Sequence, residues 1–155
     1  LIPSKQWDPS NCRICTWVHL RDRSTSTEFF VFNTHFSTLG EDTGANIRSR
    51  SAALIHSYIR LLTTDYPVFL LGDLNMENSS SAYSILQTGG SKHLYDTLKN
   101  YTTGVTPFDY STSGFSLTKN AEFKRIDYIF ISEAISCIKG FNLGFSFTFF
   151  IISAI

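Results

Sequence analysis

The stretch that decides the fold is residues 67–75, which read P-V-F-L-L-G-D-L-N. Its first five residues form a short, wholly apolar run, as expected of a strand that is buried on both faces. The run leads directly through Gly72 into Asp73 and Asn75. Because an unpaired buried carboxylate costs several kcal/mol, an aspartate at the end of such a strand indicates either a structural partner or a functional site.

Two strand-like segments lie upstream of this run. Residues 13–20 (R-I-C-T-W-V-H-L) and 28–33 (E-F-F-V-F-N) are rich in β-branched and aromatic residues, and a short polar segment joins them. This pattern predicts an antiparallel hairpin. The second strand is expected to end at Thr34, so that His35 lies at its C-terminal edge.

Helical periodicity lies on both sides of the central run. Apolar residues recur at helical spacing between residues 47 and 62, which predicts an amphipathic helix that ends before Pro67. Gly40 and Gly44 are expected to flank the loop that precedes it. A shorter helix with a serine cap is predicted over residues 79–87. Strands combined with an amphipathic helix favour an α/β layered sheet.

The C-terminal third contains a predicted loop, a strand and an apolar tail. Residues 100–122 are rich in Thr, Ser, Gly and Asp and predict a long surface loop. Residues 125–131 (R-I-D-Y-I-F-I) predict a buried strand interrupted by one charge, Asp127. The uncharged residues 141–155 are fewer than the ~20 that a membrane-spanning helix needs, and their alternation suits a strand. We expect residues 1–140 to form part of one domain, and the tail not to continue it.

Composition narrows the class of protein. A hydrophobic fraction of 43% with 17% charged residues is globular rather than disordered. The formal net charge of zero provides no global attraction to nucleic acid or to anionic membranes, so nucleic-acid binding would need a local basic patch. Cys12 and Cys15 have the spacing of half a zinc site, but no second pair accompanies them, so packing is the favoured role. The cellular compartment is not indicated.

Four polar residues stand where packing alone would not place them, at the ends of or inside apolar strands: His35, Asp73, Asn75 and Asp127. Strand ends are where open α/β sheets place their sites. Taken singly, each is weak evidence, because a lone polar residue at a strand end is commonly structural. The residues by themselves therefore leave open an α/β binding domain whose strand-end carboxylates are structural.

The order of the motifs is more specific than any one of them, and it resembles the endonuclease/exonuclease/phosphatase family. The resemblance spans about residues 7–132 and is carried by W-D, R-I-C-T-W, N-T-H, an Arg-bearing helix, P-V-F-L-L-G-D-L-N, S-A-Y and R-I-D-Y-I-F. It implies a deoxyribonuclease I-like four-layer α/β sandwich, two sheets with helices outside. It also implies that the chain is an incomplete fragment, the C-terminal half of that domain.

The resemblance further implies a metal-dependent hydrolase of phosphoester bonds that uses Mg²⁺ or Mn²⁺. His35 would contact the scissile phosphate and neutralise charge on it. Asp73 would bind the cation or activate the nucleophile, while Asn75 would serve as a second metal ligand or hold the attacking water or a phosphate oxygen. Asp127 would orient a partner histidine. Hard cations prefer oxygen ligands, which the aspartate and asparagine can supply.

Two further residues are expected to contact substrate. Asn33 belongs to the N-T-H motif, and Arg48 matches a family arginine near the helix start that either reaches substrate or only pairs with an acid. The substrate would be a phosphoester, in nucleic acid or in a small molecule, and the fold does not select between them. The sequence indicates no protein partner.

Two family motifs are absent from these 155 residues. One is a Q-E motif with a metal-binding glutamate, and the other is a closing S-D-H motif, since no histidine follows His93. Three hypotheses therefore stay open: a partial copy of a phosphoester hydrolase, a catalytically inactive fragment of the family, and the binding domain described above.

Overall fold

The computed structural model describes residues 11–63, 65–90, 92–99, 110–112 and 124–132, except the side chains of residues 41 and 42, and the backbone of residues 135–142 and 148–154. The elements are β1 Cys15–Arg21, β2 Glu28–Thr34, α1 Glu41–Leu62, β3 Val68–Asp73, α2 Ser81–Thr88, β4 Leu94–Asp96, β5 Asp127–Ser132, β6 Ile135–Asn142 and β7 Thr148–Ala154. Strands β1 to β5 form one sheet in the order β1-β2-β3-β5-β4, and β6 pairs with β7. The predicted α/β class is confirmed.

The large sheet is mixed, and its connections explain why. Strands β1 and β2 form the predicted antiparallel hairpin. Strands β2 and β3 are parallel, which needs a crossover connection, and helix α1 provides it. Strand β5 then pairs antiparallel with β3. The C-terminal ends of β2 and β3 therefore lie at the same edge of the sheet as the start of β5.

The hydrophobic core lies between the two helices and one face of this sheet. Both layers contribute fully buried side chains, among them Phe32, Leu70 and Phe130 from the strands and Ile59 and Leu86 from the helices. Each large apolar side chain buried in this way contributes roughly 1.5–3 kcal/mol to stability. The core thus fixes the strand register on which the polar residues at the sheet edge depend.

The opposite face of the sheet is more exposed than the sequence predicts. Along β3, Val68 and Leu70 are fully buried, whereas Phe69 and Leu71 on the other face are only half-buried. The expectation that this run is buried on both faces is therefore wrong for the residues that the structure describes. Alternating burial of this kind is what a sheet shows when helices pack on one side of it.

Helix α1 begins earlier than predicted. It starts at Glu41, so Gly44 lies inside the helix and its N–H donates to Gly40 O at 2.6 Å. The expectation that Gly40 and Gly44 flank a loop is therefore wrong. The glycine marks a close approach instead, because a Cβ at this position would lie 1.9 Å from Leu39 O. The helix ends at Leu62, in agreement with the prediction.

Helix α2 and strand β4 form a buried polar junction. The predicted serine cap of α2 is Ser80, whose Oγ accepts the Tyr83 N–H at 3.2 Å. The short strand β4 was not predicted, and it ends at Asp96, which is fully buried. The carboxylate accepts from the Tyr83 hydroxyl at 2.9 Å and from Arg125 Nη1 at 3.1 Å, and it forms an ion pair with Arg125 Nη2.

Two predictions concern segments that the structure describes only in part. Most of the predicted loop at residues 100–122 lies outside the described residues. Residues 148–154 form a strand against β6, in keeping with their alternation, but their side chains are not described. The division at residue 140 and the poor packing expected of the tail therefore stay predictions. In the described part of the chain, no helix has the length and apolarity to cross a membrane.

Candidate active site

The structure brings together His35, Asp73, Asn75 and Asp127 at one edge of the large sheet. His35 follows the end of β2, while Asp73 and Asp127 are direct cross-strand partners. The Nε2 atom of His35 lies 3.6 Å from Asp73 Oδ2. Alternation along β3 and β5 places both carboxylates on the face away from the helices. Residues that are far apart in sequence thus form a single polar cluster.

Hydrogen bonds hold Asp73 and Asn75 in a tight turn at the end of β3. Asp73 Oδ1 accepts the backbone N–H of Asn75 at 3.0 Å, and Asn75 has φ +43°, a left-handed conformation that asparagine tolerates. The side-chain Nδ2 of Asn75 donates to Phe36 O at 3.1 Å. Because its nitrogen is committed to that bond, Asn75 retains Oδ1 as its remaining polar side-chain atom.

Gly72 allows β2 and β3 to converge at the cluster. It has φ +141°, which lies in a region that residues with a Cβ rarely adopt. A Cβ built at this position would lie 1.9 Å from Thr34 O and 3.3 Å from Asn33 Oδ1. The glycine immediately before Asp73 is therefore required by the close approach of the two strand ends.

We expect Gly72→Ala to lower the free energy of unfolding by at least about 2 kcal/mol, because it adds backbone strain and a steric clash. The measurement is the midpoint of urea-induced unfolding. Gly40→Ala is the matched control, since no atom beyond its two chain neighbours lies within 4 Å of a Cβ at that position. It should cost less than about 1 kcal/mol, mainly through a poorer helix cap. Equal effects of the two substitutions would contradict the assigned role of Gly72.

Asp127 occupies a partly buried environment with an unexpected partner. Burial raises the pKa of its carboxyl group, and the charge of Asp73 raises it further, while a hydrogen bond from Ser111 and the proximity of His35 lower it. The Oγ atom of the buried Ser111 also accepts the N–H groups of Ile126 at 2.9 Å and Asp127 at 3.0 Å. Sequence reasoning missed this serine, which lies in a Ser/Thr-rich stretch without any periodic signal.

Asn33 and Arg48 lie in different positions relative to the cluster. Asn33 is exposed on β2, two residues before His35 and on the same face. Arg48 is buried, and its Nη1 donates to Ser37 O at 3.2 Å and Leu39 O at 2.9 Å. These two hydrogen bonds of Arg48 are made to the loop that follows His35. Its contact with substrate stays a prediction.

The described residues contain no group of three or more His, Cys, Asp or Glu side chains arranged to hold a metal ion. Cys12 is an exposed free thiol, and Cys15 is a half-buried one that packs against the core. Burial raises the pKa of the Cys15 thiol to about 11. A thiol held protonated in this way suits packing better than metal binding or redox chemistry.

Comparison with known proteins assigns the family. The model of the endonuclease/exonuclease/phosphatase family matches residues 9–141. The chain therefore belongs to this family, whose members hydrolyse phosphoester bonds and generally use a divalent metal ion. No match was found among curated proteins.

Several solved structures share the fold. An endonuclease/exonuclease/phosphatase from Bacteroides vulgatus is 31% identical, with a TM-score of 0.68 over 81% of this chain and 46% of that chain. A mannosyl-6-phosphatase from Bacteroides thetaiotaomicron is 29% identical, with a TM-score of 0.70 over 92% of this chain and 51% of that one. The human nocturnin catalytic domain, at 16% identity and a TM-score of 0.67 over 86% of this chain and 46% of that one, shows the fold alone. The chain spans about half the length of these structures.

Proposed function

We propose that this chain supplies part of a site that hydrolyses phosphoester bonds with the help of a divalent cation. The observation that carries the proposal is the cluster at the sheet edge, in which His35 Nε2 lies 3.6 Å from Asp73 Oδ2 and Asp127 is the cross-strand partner of Asp73. Membership of the family supports the same reaction class.

The cluster contains the groups that phosphoester hydrolysis requires. Transfer of a phosphoryl group to water needs charge neutralisation on the non-bridging oxygens and a positioned nucleophile. The exposed His35, when protonated, would donate to a phosphate oxygen. Asp73 would accept a proton from the nucleophilic water or bind the cation, and Asn75 would hold that water or a phosphate oxygen. Asn33, exposed two residues before His35, would contact the substrate.

The side chains present fit a hard cation as part of a ligand set. Asp73 Oδ2 and Asn75 Oδ1 are oxygen atoms, and Mg²⁺ is commonly held by only one or two protein carboxylates because it retains several waters. The cation, Mg²⁺ or Mn²⁺, would supply electrostatic stabilisation of the phosphate charge. Asp73 and Asn75 would hold it in this chain.

Asp127 has a supporting role in this proposal. A buried carboxylate that accepts hydrogen bonds can orient an imidazole and stabilise its protonated form. The histidine of the S-D-H motif is its expected partner, but that motif is not among these 155 residues.

The substrate is a phosphoester in nucleic acid or in a small molecule. The similarity to a mannosyl-6-phosphatase makes a phosphorylated sugar one candidate. The zero net charge offers no general attraction to nucleic acid. No described feature indicates a protein partner.

A titration with Mn²⁺ tests the cation site without requiring activity. Paramagnetic broadening should be strongest for the backbone amides of residues 73–75 and 127, and excess Mg²⁺ should reverse it. Asp73→Ala should abolish the localised broadening, because it removes the carboxylate ligand. Asp65→Ala, which removes an exposed carboxylate outside the cluster, should leave it unchanged. Broadening that survives in Asp73→Ala would place the cation elsewhere and overturn the proposed site.

A further inference from the structure

The loop that follows His35 accepts hydrogen bonds from two side chains, one just after β3 and one on α1. We define the His35 loop as residues 35–40. Asn75 Nδ2 donates to Phe36 O at 3.1 Å, and Arg48 Nη1 donates to Ser37 O at 3.2 Å and to Leu39 O at 2.9 Å. Three carbonyl groups of one short loop are therefore fixed by only two side chains, of which Asn75 belongs to the proposed site.

Arg48 is buried in the protein interior. Only 3% of the residue is exposed. Burial of a guanidinium group is costly unless its N–H groups are hydrogen-bonded. Its Nη1 carries two hydrogens, and the two carbonyl groups use both. A planar guanidinium holds such a geometry more rigidly than a lysine ammonium group can.

Gly44 provides independent evidence that the fold requires the contact between Arg48 and the His35 loop. A Cβ at Gly44 would lie 1.9 Å from Leu39 O and 2.6 Å from Arg48 Nη1. Gly44 lies in the first turn of α1, where glycine costs roughly 1 kcal/mol relative to alanine. The helix thus carries an unfavourable residue at a position where the loop carbonyl and the arginine nitrogen occupy the space that a Cβ would need.

We infer that Arg48 is a positioning residue that acts through the His35 loop: it holds the backbone after His35 so that the imidazole stays beside Asp73, and it does not touch the substrate. The inference rests on the proposed function, in which His35 meets the phosphate. It assigns Arg48 a supporting role instead of the predicted contact with substrate.

The competing explanation is direct contact with an anionic group. Arg48 also lines a surface cavity of about 240 Å³ together with serines of the α2 N-terminus, Ser79, Ser80 and Ser81. If a phosphate group bound there, Arg48 would contribute binding energy rather than geometry. The two explanations differ in whether His35 responds to loss of Arg48 when no ligand is present.

The test is NMR of the imidazole resonances in the full chain, without cation or phosphate. The resonance of His35 is assigned with His35→Gln, and that of His19, in β1, serves as the internal reference. Arg48→Met should shift or broaden the His35 resonance several-fold more than that of His19. Arg48→Lys, which keeps the positive charge and a donor nitrogen, should recover part of the native position. Gly44→Ala should perturb the same resonance, because it displaces the same carbonyl.

Arg50→Met is the matched control, since Arg50 is exposed on the same helix, and it should leave His35 unchanged. Backbone amide spectra report whether each variant is folded, and Arg48→Lys carries the test if Arg48→Met is not. An unchanged His35 resonance in folded Arg48 variants, with weaker binding of inorganic phosphate, would overturn the inference in favour of direct contact. Failure of the wild-type chain to bind phosphate or cation would refute the proposed function but not the positioning role.

Discussion

The 155-residue chain, assayed with Mg²⁺ or Mn²⁺ on a generic phosphodiester and a phosphomonoester, should turn over at least ~10⁴-fold more slowly than a family member with all motifs. The reason is that the Q-E glutamate and the S-D-H histidine are absent from this sequence, and loss of members of a cooperating catalytic set is severe and not additive. Weak cation binding should nevertheless persist, because Asp73 still offers an oxygen ligand.

Two outcomes of this assay can be distinguished from the expected loss of activity. Substantial turnover that disappears in Asp73→Ala would mean that the chain is active by itself and that another group, such as His56 or His93, replaces the missing histidine. Turnover that survives in Asp73→Ala would instead indicate a contaminating phosphatase. A longer polypeptide that supplies both motifs should restore the rate.

The buried ion pair between Asp96 and Arg125 should give the largest effect on stability. We expect Asp96→Asn to lower the free energy of unfolding by about 3–5 kcal/mol, because it leaves a largely buried guanidinium without its counter-charge. The Tyr83 hydroxyl and the backbone N–H of Leu98 also donate to this carboxylate, so several bonds weaken together. Urea-induced unfolding, monitored by circular dichroism, measures the change.

The exposed pair of Glu77 and Lys124 is the matched control. Its N–O distance is 2.6 Å, but both side chains are about half exposed. Water screens such a pair, so Glu77→Gln should cost less than about 1 kcal/mol. The double variant Asp96→Asn/Arg125→Met should be more stable than the sum of the single losses predicts. Additive losses would show that the buried pair is not energetically coupled.

The sequence predicts the parts of the fold that follow local rules. The hairpin of β1 and β2, the end of α1 before Pro67 and the serine cap of α2 each depend on residues close together in the chain. The polar cluster could also be anticipated, because His35 and Asp73 follow apolar strands and Asp127 interrupts one. Only the order of the motifs linked them to one family, since no single strand-end residue is specific.

The features that sequence reasoning missed depend on contacts between distant residues. Strand β4 has three residues, too few for a periodic signal, and its pairing with β5 defines it. Ser111 is recognised only through its bonds to the start of β5. Gly44 resembles a loop glycine until the carbonyl of Leu39 is placed against it. In each case the deciding partner is remote in sequence or belongs to tertiary structure.

Alternation along the three central strands separates residues needed for folding from residues needed for the proposed chemistry, and the two groups differ in whether their residue numbers are even or odd. In residues 30–34, 68–70 and 128–132, every even-numbered side chain is buried and Ile131 is the one buried odd-numbered residue. Asn33, His35, Asp73 and Asp127 are all odd-numbered. A mutational scan scored separately for abundance and for ligand binding should therefore divide by parity. Substitutions at the buried even-numbered positions should lower the abundance of folded protein. Substitutions at the four odd-numbered polar positions should leave abundance unchanged and lower ligand binding.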